Sequence, residues 1–215
     1  MTRVVFWSFI VHDSYYKNKW KQEPLIKNYE PLYKEKNENI IKHKSISLPV
    51  ELFYQETNYW CGPASVQMVI NYVANKKISQ EKLANYLQTV KTGTYPGNIP
   101  AILNKFTNQN NHKYTRKILG LNYGLTEKEQ KIFYNDVNNS LKHNFPVILS
   151  MHGKYPWNNH MIRHLIVIHG IQVSEKFEEY TYLIADPWSG EVEVKQSQIS
   201  SLFTYDANSS IIKSN

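Results

Sequence analysis

The chain has 215 residues, of which 41% are hydrophobic and 20% are charged, and its formal net charge is +7 at pH 7. This composition predicts a folded protein with one substantial core and argues against intrinsic disorder. The basic residues are scattered rather than grouped in a dense stripe, so a nucleic-acid partner is not expected, although the charge is compatible with association with an anionic cell surface.

The first 44 residues differ in composition from the rest of the chain. "VVFWSFIV", residues 4–11, is short for the core of a secretion signal and has no small-residue cleavage site after it, which favours a strand or packed arm. Residues 15–44 are rich in Lys, Asn, Tyr and Glu without sustained periodicity. No apolar run approaches the length of a membrane-spanning helix, so no integral membrane segment is expected. We therefore predict an N-terminal arm or extension, residues 1–44, and a main domain, residues 45–215.

Four helices are predicted in the first half of the main domain. The first begins at Cys61 and runs to about Ala74, with Pro63 in its first turn and apolar residues nearly all round, so it should be buried. The second follows a cap at Ser79 in "SQEKLANYLQ", and the third lies in "NIPAILNKF". The fourth begins at the capping-box pattern "TEKE", residues 126–129.

Short runs of β-branched and aromatic residues dominate the second half. They are "PVILSM" from Pro146, "HLIVIHGI" from His164, "YTYLIA" from Tyr180 and "EVEV" from Glu191. Because the helices come first and the strands afterwards, the order predicts an α+β domain with an antiparallel sheet rather than a doubly wound one.

Cys61 is the only cysteine in the chain, so an internal disulfide is excluded. A thiol attacks as the thiolate, which is favoured at a helix N-terminus and beside an imidazolium. Cys61 meets the first condition, because it opens the most apolar predicted helix, and Gly62 beside it allows close backbone approach. The alternative is an unreactive buried cysteine, which is common in protein cores.

Three polar residues are candidates to complete a reactive site around Cys61. Gln55 stands shortly before it and could donate its side-chain amide to an oxyanion, together with the backbone N–H of Cys61. His164 begins one predicted strand, and Asp186 directly follows another. If those strands pair, Asp186 would reach His164 and stabilise its cation. The structural alternatives are a solvated glutamine, a core histidine and a turn-forming aspartate.

These residues lie in motifs that resemble a known family. "QETNYWCGPAS", "RHLIVIHGI" and "IADPW" resemble the three motifs of the papain-like cysteine peptidases of family 39, the bacteriocin-processing peptidases and their free-standing relatives. "GTYPGNIPAILNKF" is also similar, and the resemblance spans about residues 53–188. It implies a papain-like fold in which Cys61 is the nucleophile, His164 the general base, Asp186 the residue that orients the base, and Gln55 part of the oxyanion hole.

The residue before the cysteine distinguishes two branches of that family. Exporter-linked members, which cut leaders after paired glycines, typically carry an acidic residue there and are fused to a membrane transporter. This chain has Trp60 instead, so "WCGPAS" is more similar to the free-standing bacterial branch, and that resemblance favours an extracellular or cell-envelope location. Trp60, Gly62 and Trp188, which lie beside the motifs, are candidate substrate-binding residues.

The residues and the resemblance together predict a cysteine peptidase that hydrolyses a peptide or amide bond through a Cys61 thioester, without a cofactor. Two alternatives stay open: a non-catalytic module that binds peptide or cell-wall polymer, and a transferase or deamidase with the same Cys-His-Asp triad. His160 and His164 have a spacing found in zinc sites, but the segment reads as a strand and no Cys or Glu motif accompanies it, so no metal is expected.

Overall fold

The computed structural model describes residues 45–107, 112–119, 124–154, 161–174, 179–203 and 209–214. The predicted N-terminal arm, residues 1–44, lies outside these ranges. Within them, none of the helices combines the length and the apolar character that crossing a membrane requires.

Helices dominate the first half of the described chain and strands the second. The α-helices are α1 (Cys61–Ala74), α2 (Gln80–Leu87), α3 (Ile99–Thr107), α4 (Glu127–Lys142) and α5 (Gln196–Ile199), with 3₁₀ turns at Pro96–Asn98 and Ser200–Phe203. The strands are β1 (Ile46–Ser47), β2 (Tyr114–Ile118), β3 (Val147–Lys154), β4 (Met161–Val173), β5 (Tyr180–Asp186), β6 (Gly190–Lys195) and β7 (Ser210–Ser214). The four predicted helices and the α+β class are confirmed.

Local side-chain chemistry explains where three of the helices begin or end. The Ser79 side chain accepts from the backbone N–H of Lys82 at the start of α2. At the start of α4, Thr126 and Glu129 form both halves of the predicted capping box. Helix α1 ends where Asn75 takes the left-handed conformation, with φ of 49°.

The described strands form one antiparallel sheet in the order β2-β7-β3-β4-β5-β6, with β1 paired to β4. Strands β3 to β6 follow one another in both sequence and space, whereas β7 returns to lie between β2 and β3. Neither β2 nor β7 was predicted from the sequence. The predicted position of His164 at the start of a strand is also wrong, because β4 begins at Met161 and His164 lies opposite Met151 of β3.

Helix α1 packs against β4 and against α2 and α3, and its apolar side chains enter one continuous core. Val66, Met68 and Val69 are fully buried there. Ser65 is also fully buried, and its hydroxyl donates to the backbone carbonyl of Leu165 at 3.0 Å. This hydrogen bond joins the first turns of α1 to the part of β4 that carries His164.

Candidate active site

Cys61 is the first residue of α1 and is partly buried against the core. The helix opens without a side-chain cap, and the backbone carbonyl of Trp60 accepts from the N–H of Ala64 at 3.0 Å. No acidic residue lies in the first turn. The thiol therefore sits at the positive end of the helix dipole, where a negative charge is favoured.

Gly62 allows the start of α1 to pack closely against a neighbouring loop. A Cβ atom at this buried position would overlap the side chain of Thr94, whose hydroxyl shares a 2.8 Å hydrogen bond with that of Thr89. Thr94 of the segment "GTYPGN", which resembles the family, thus packs against the residue that follows the cysteine. A role for Gly62 in substrate binding stays a prediction.

His164 and Asp186 meet across β4 and β5. The register pairs Val167 with Ala185, so the next residue of β5, Asp186, lies opposite Ile166. Because side chains alternate between the two faces, Asp186 and His164 share one face of the sheet. The distance from His164 Nε2 to Asp186 Oδ1 is 2.7 Å, and both side chains are almost completely buried. The contact that the sequence analysis expected from strand pairing is therefore present.

The neighbours of His164 determine its protonation. Burial alone would lower the pKa of His164, but hydrogen bonds to Asp186 and Cys61, and the negative charges of both, raise it from 6.5 to about 9. Because Asp186 engages Nε2, Nδ1 is the ring nitrogen that is left for Cys61. The three side chains thus form one connected set, and the contacts of His164 with the other two favour its protonated form.

Asp186 is held as a carboxylate. Burial alone would raise its pKa, but the hydrogen bond and charge of His164, the backbone N–H of Trp188 and the side chain of Ser189 hold the pKa below its usual value. The Trp188 N–H donates to Oδ1 at 2.8 Å, the same oxygen that accepts from His164. Asp186 can therefore both orient the imidazole and stabilise its positive charge.

Gln55 lies in a loop that is attached to the residues directly after Asp186. Its backbone N–H donates to the carbonyl of Pro187 at 2.9 Å. Its side-chain Nε2 donates to the carbonyl of Thr57 at 2.6 Å, and a primary amide carries a second N–H hydrogen for a further acceptor. The predicted oxyanion residue is thus held on the Asp186 side of the site.

A pocket of about 330 Å³ lies between this loop and the end of β5. Its lining residues are Tyr54, Gln55, Glu56, Thr57, Asn58, Pro187 and Trp188. Trp188, which is 55% exposed, forms one wall of the pocket. Trp60 and Gly62 do not line it, and the Trp60 ring packs edge-on against Tyr59.

His169 lies on the sheet face opposite His164. The register shifts at this residue, and its ring nitrogens contact the Leu48 carbonyl at 3.1 Å and the Glu191 carboxylate at 2.9 Å. Among the residues that the structure describes, no three His, Cys, Asp or Glu side chains cluster as metal ligands would. His160 lies outside those residues.

Gln80 is a residue of the site that sequence reasoning missed. It is 2% exposed and contacts the backbone of the Gln55 loop. Its only signal in the sequence is its position after the Ser79 cap, which does not separate it from a solvated residue at the start of a helix.

A cysteine at the start of a buried helix, facing a histidine and an aspartate from an antiparallel sheet, is the arrangement of a papain-like cysteine peptidase. The sequence model of the Peptidase_C39 like family matches residues 47–210, and the chain belongs to this family. Family and fold together support cysteine peptidase activity in general. The comparison with curated protein sequences gave no match.

Two solved structures share the fold. One is a double glycine motif protease from an AMS/PCAT transporter in complex with the leader peptide, with 17% identity, a TM-score of 0.54, and coverage of 78% of this chain and 93% of that one. The other is a putative C39-like peptidase from Bacillus anthracis, with 15% identity, a TM-score of 0.51, and coverage of 80% and 98%. The papain-like fold class is confirmed.

Proposed function

We propose that residues 45–215 form a cysteine peptidase domain in which Cys61, His164 and Asp186 act as a catalytic triad. The observation that carries the proposal is the buried His164, which contacts Asp186 at 2.7 Å and hydrogen-bonds to Cys61 at the start of α1. A thiolate and an imidazolium side by side are the nucleophile and the acid that acyl transfer needs.

The reaction begins when Cys61 Sγ attacks the carbonyl carbon and forms a C–S bond. The side-chain amide of Gln55 and the backbone N–H of Cys61 donate to the oxyanion. His164 gives its proton to the leaving amine as the C–N bond breaks. Water, deprotonated by His164, then cleaves the thioester and returns the thiol, while Asp186 holds the imidazole throughout.

A peptide or protein is the proposed substrate. The double glycine motif protease, which shares the fold, was solved in complex with its leader peptide. The aromatic walls of the pocket, Tyr54 and Trp188, are 61% and 55% exposed and offer apolar surface to a peptide side chain. Trp60, in place of an acidic residue, argues against cleavage restricted to double glycine sites.

Incubation with a peptide library, followed by mass spectrometry, tests this proposal. Hydrolysis, ligation and deamidation change peptide mass differently, so the products distinguish a peptidase from a transferase or deamidase. Cleaved products that disappear in Cys61→Ala are expected. An unchanged library, with peptides that bind but remain intact, would contradict the proposal and favour a binding module.

The Gln55→Ala variant tests the oxyanion donor. Peptide hydrolysis should fall by about a hundredfold, because one donor to the developing oxyanion is lost while the thiolate and the imidazole remain. Gln130→Ala is the matched control, since Gln130 also donates to a backbone carbonyl, that of Leu125 at 3.1 Å. Turnover that is the same in Gln55→Ala and in the native protein would remove Gln55 from the mechanism.

A further inference from the structure

We propose that Gln80 is a positioning residue for the active site, which holds the backbone on both sides of Gln55 and thereby fixes the direction of the Gln55 amide. The inference rests on the proposed function, because it assigns Gln80 to the oxyanion donor of that reaction. Gln80 is the first residue of α2 and touches neither the cysteine nor the histidine through any hydrogen bond that the structure describes.

Gln80 binds the two residues that flank Gln55. Its Nε2 donates to the backbone carbonyl of Tyr54 at 2.8 Å, and its Oε1 accepts from the backbone N–H of Glu56 at 3.0 Å. Only one residue separates these two contacts. A single side-chain amide therefore bridges the backbone around the predicted oxyanion donor.

The two peptide groups that meet at the Cα atom of Gln55 are both held. In the first peptide group, the carbonyl of Tyr54 accepts from Gln80 and the N–H of Gln55 donates to the carbonyl of Pro187. In the second, the N–H of Glu56 donates to Gln80. Rotation of the Gln55 backbone would break at least one of these bonds. The Cα–Cβ direction of Gln55 is therefore defined before a substrate arrives, which is the preorganisation that an oxyanion donor needs.

Gln80 is itself oriented by the helix that carries Cys61. Its second Nε2 hydrogen goes to Oε1 of Gln67 at 3.1 Å, and Gln67 in turn donates to the carbonyl of Ile78 at 2.9 Å. Rotating the Gln80 amide by half a turn would put oxygen against oxygen at Tyr54 and N–H against N–H at Glu56. The loop with the oxyanion donor is thus fixed relative to α1.

The variant Gln80→Met tests the inference, because methionine has a similar volume and neither donates nor accepts as an amide does. Two small probes replace the unidentified substrate. p-Nitrophenyl acetate acylates Cys61 by forming a C–S bond and releasing p-nitrophenolate, so its burst passes through an oxyanion. Iodoacetamide alkylates the thiolate without an oxyanion.

The burst rate with p-nitrophenyl acetate should fall about tenfold in Gln80→Met, because a displaced donor binds the oxyanion less well. The iodoacetamide rate should stay the same, because Gln80 does not contact the Cys61 and His164 pair. In the Gln55→Ala background, adding Gln80→Met should have little further effect on the burst, because its effect passes through Gln55. Gln80→Glu, which keeps the acceptor and loses both donors, should behave like Gln80→Met.

Asn104→Leu is the matched control for a general loss of stability. Asn104 also bridges backbone groups, donating to the carbonyl of Tyr114 at 3.0 Å and accepting from its N–H at 2.7 Å, at the far strand of the sheet. This variant should lower the melting temperature as Gln80→Met does and leave the burst unchanged.

Three outcomes would overturn the inference. The first is a native burst rate in folded Gln80→Met or Gln80→Glu. The second is that Gln80→Met lowers the burst rate by the same factor in the Gln55→Ala background as in the native protein. The third is that Asn104→Leu lowers the burst rate as much as Gln80→Met does. Failure of the proposed function looks different, because native protein would then give no burst, or Gln55→Ala alone would burst at the native rate.

Discussion

Replacing His164 with alanine should confine the reaction of Cys61 with iodoacetamide to alkaline pH, whereas native Cys61 should react well below pH 7. An ordinary thiol is less than about 1% ionised at pH 6, so the alkylation rate at that pH should fall by about a hundredfold in the variant. The physical reason is the hydrogen bond between the His164 and Cys61 side chains, which the alanine variant lacks.

The measurement is specific, because Cys61 is the only cysteine and every incorporated label reports on it. His169→Ala is the matched control, since His169 is also a buried histidine with a carboxylate partner, Glu191 at 2.9 Å. That variant should keep the native alkylation profile. Slow, alkaline-only alkylation in both the native protein and His164→Ala would mean that Cys61 is a packed thiol.

The same pair has a consequence at high pH. Peptide hydrolysis should fall as the pH rises through about 9, because His164 then loses the proton that the leaving amine takes. Since the pKa of His164 is above its ordinary 6.5 in the folded chain, protonation favours the folded state. That stabilisation is fully present below pH 6.5 and is lost as the pH rises through about 9.

Asp186→Asn should preserve the fold and reduce peptide hydrolysis by about a hundredfold or more. Asparagine has nearly the same shape, and its carbonyl oxygen can still accept from His164 Nε2, but it lacks the negative charge that raises the pKa of the imidazole. The alkaline limit of the pH–rate profile should therefore move to lower pH, an effect that a merely structural loss would not produce.

The full pH–rate profile of Asp186→Asn, compared with that of Glu191→Gln, measures this effect. Glu191 also contacts a histidine, His169, but on the opposite face of the sheet. The Glu191→Gln profile should match the native one. If Asp186→Asn had the same turnover as the native protein and the same alkaline limit in its pH–rate profile, another group would have to orient His164.

The helices could be predicted from sequence because local chemistry determines them. The start of α1 at Cys61, the Ser79 cap and the capping box at Thr126 each depend on residues a turn apart. The proposed site residues Cys61, His164 and Asp186 could be singled out because they lie in three recognisable motifs. Their contact still depended on strand pairing, which the register of β4 and β5 provides.

The parts that could not be predicted depend on distant contacts. Strand β4 begins before His164, at Met161, because it pairs with β3, which continues to Lys154 opposite Met161. "SIIKS" in β7 is short and bounded by serines, and it becomes a strand only between two partners. Gln80 shows the same limit, since its importance lies in contacts with Tyr54 and Glu56, far away in sequence.

The insertion of β7 between β2 and β3 has a consequence for the newly made chain on the ribosome. Residues 147–154 of β3 emerge well before residues 210–214, so the outer edge of β3 has no partner on that side until β7 is synthesised. At bacterial or eukaryotic rates of translation that delay is on the order of several seconds. During it, the edge carrying Ile148 and Leu149 is open to pairing with other nascent chains.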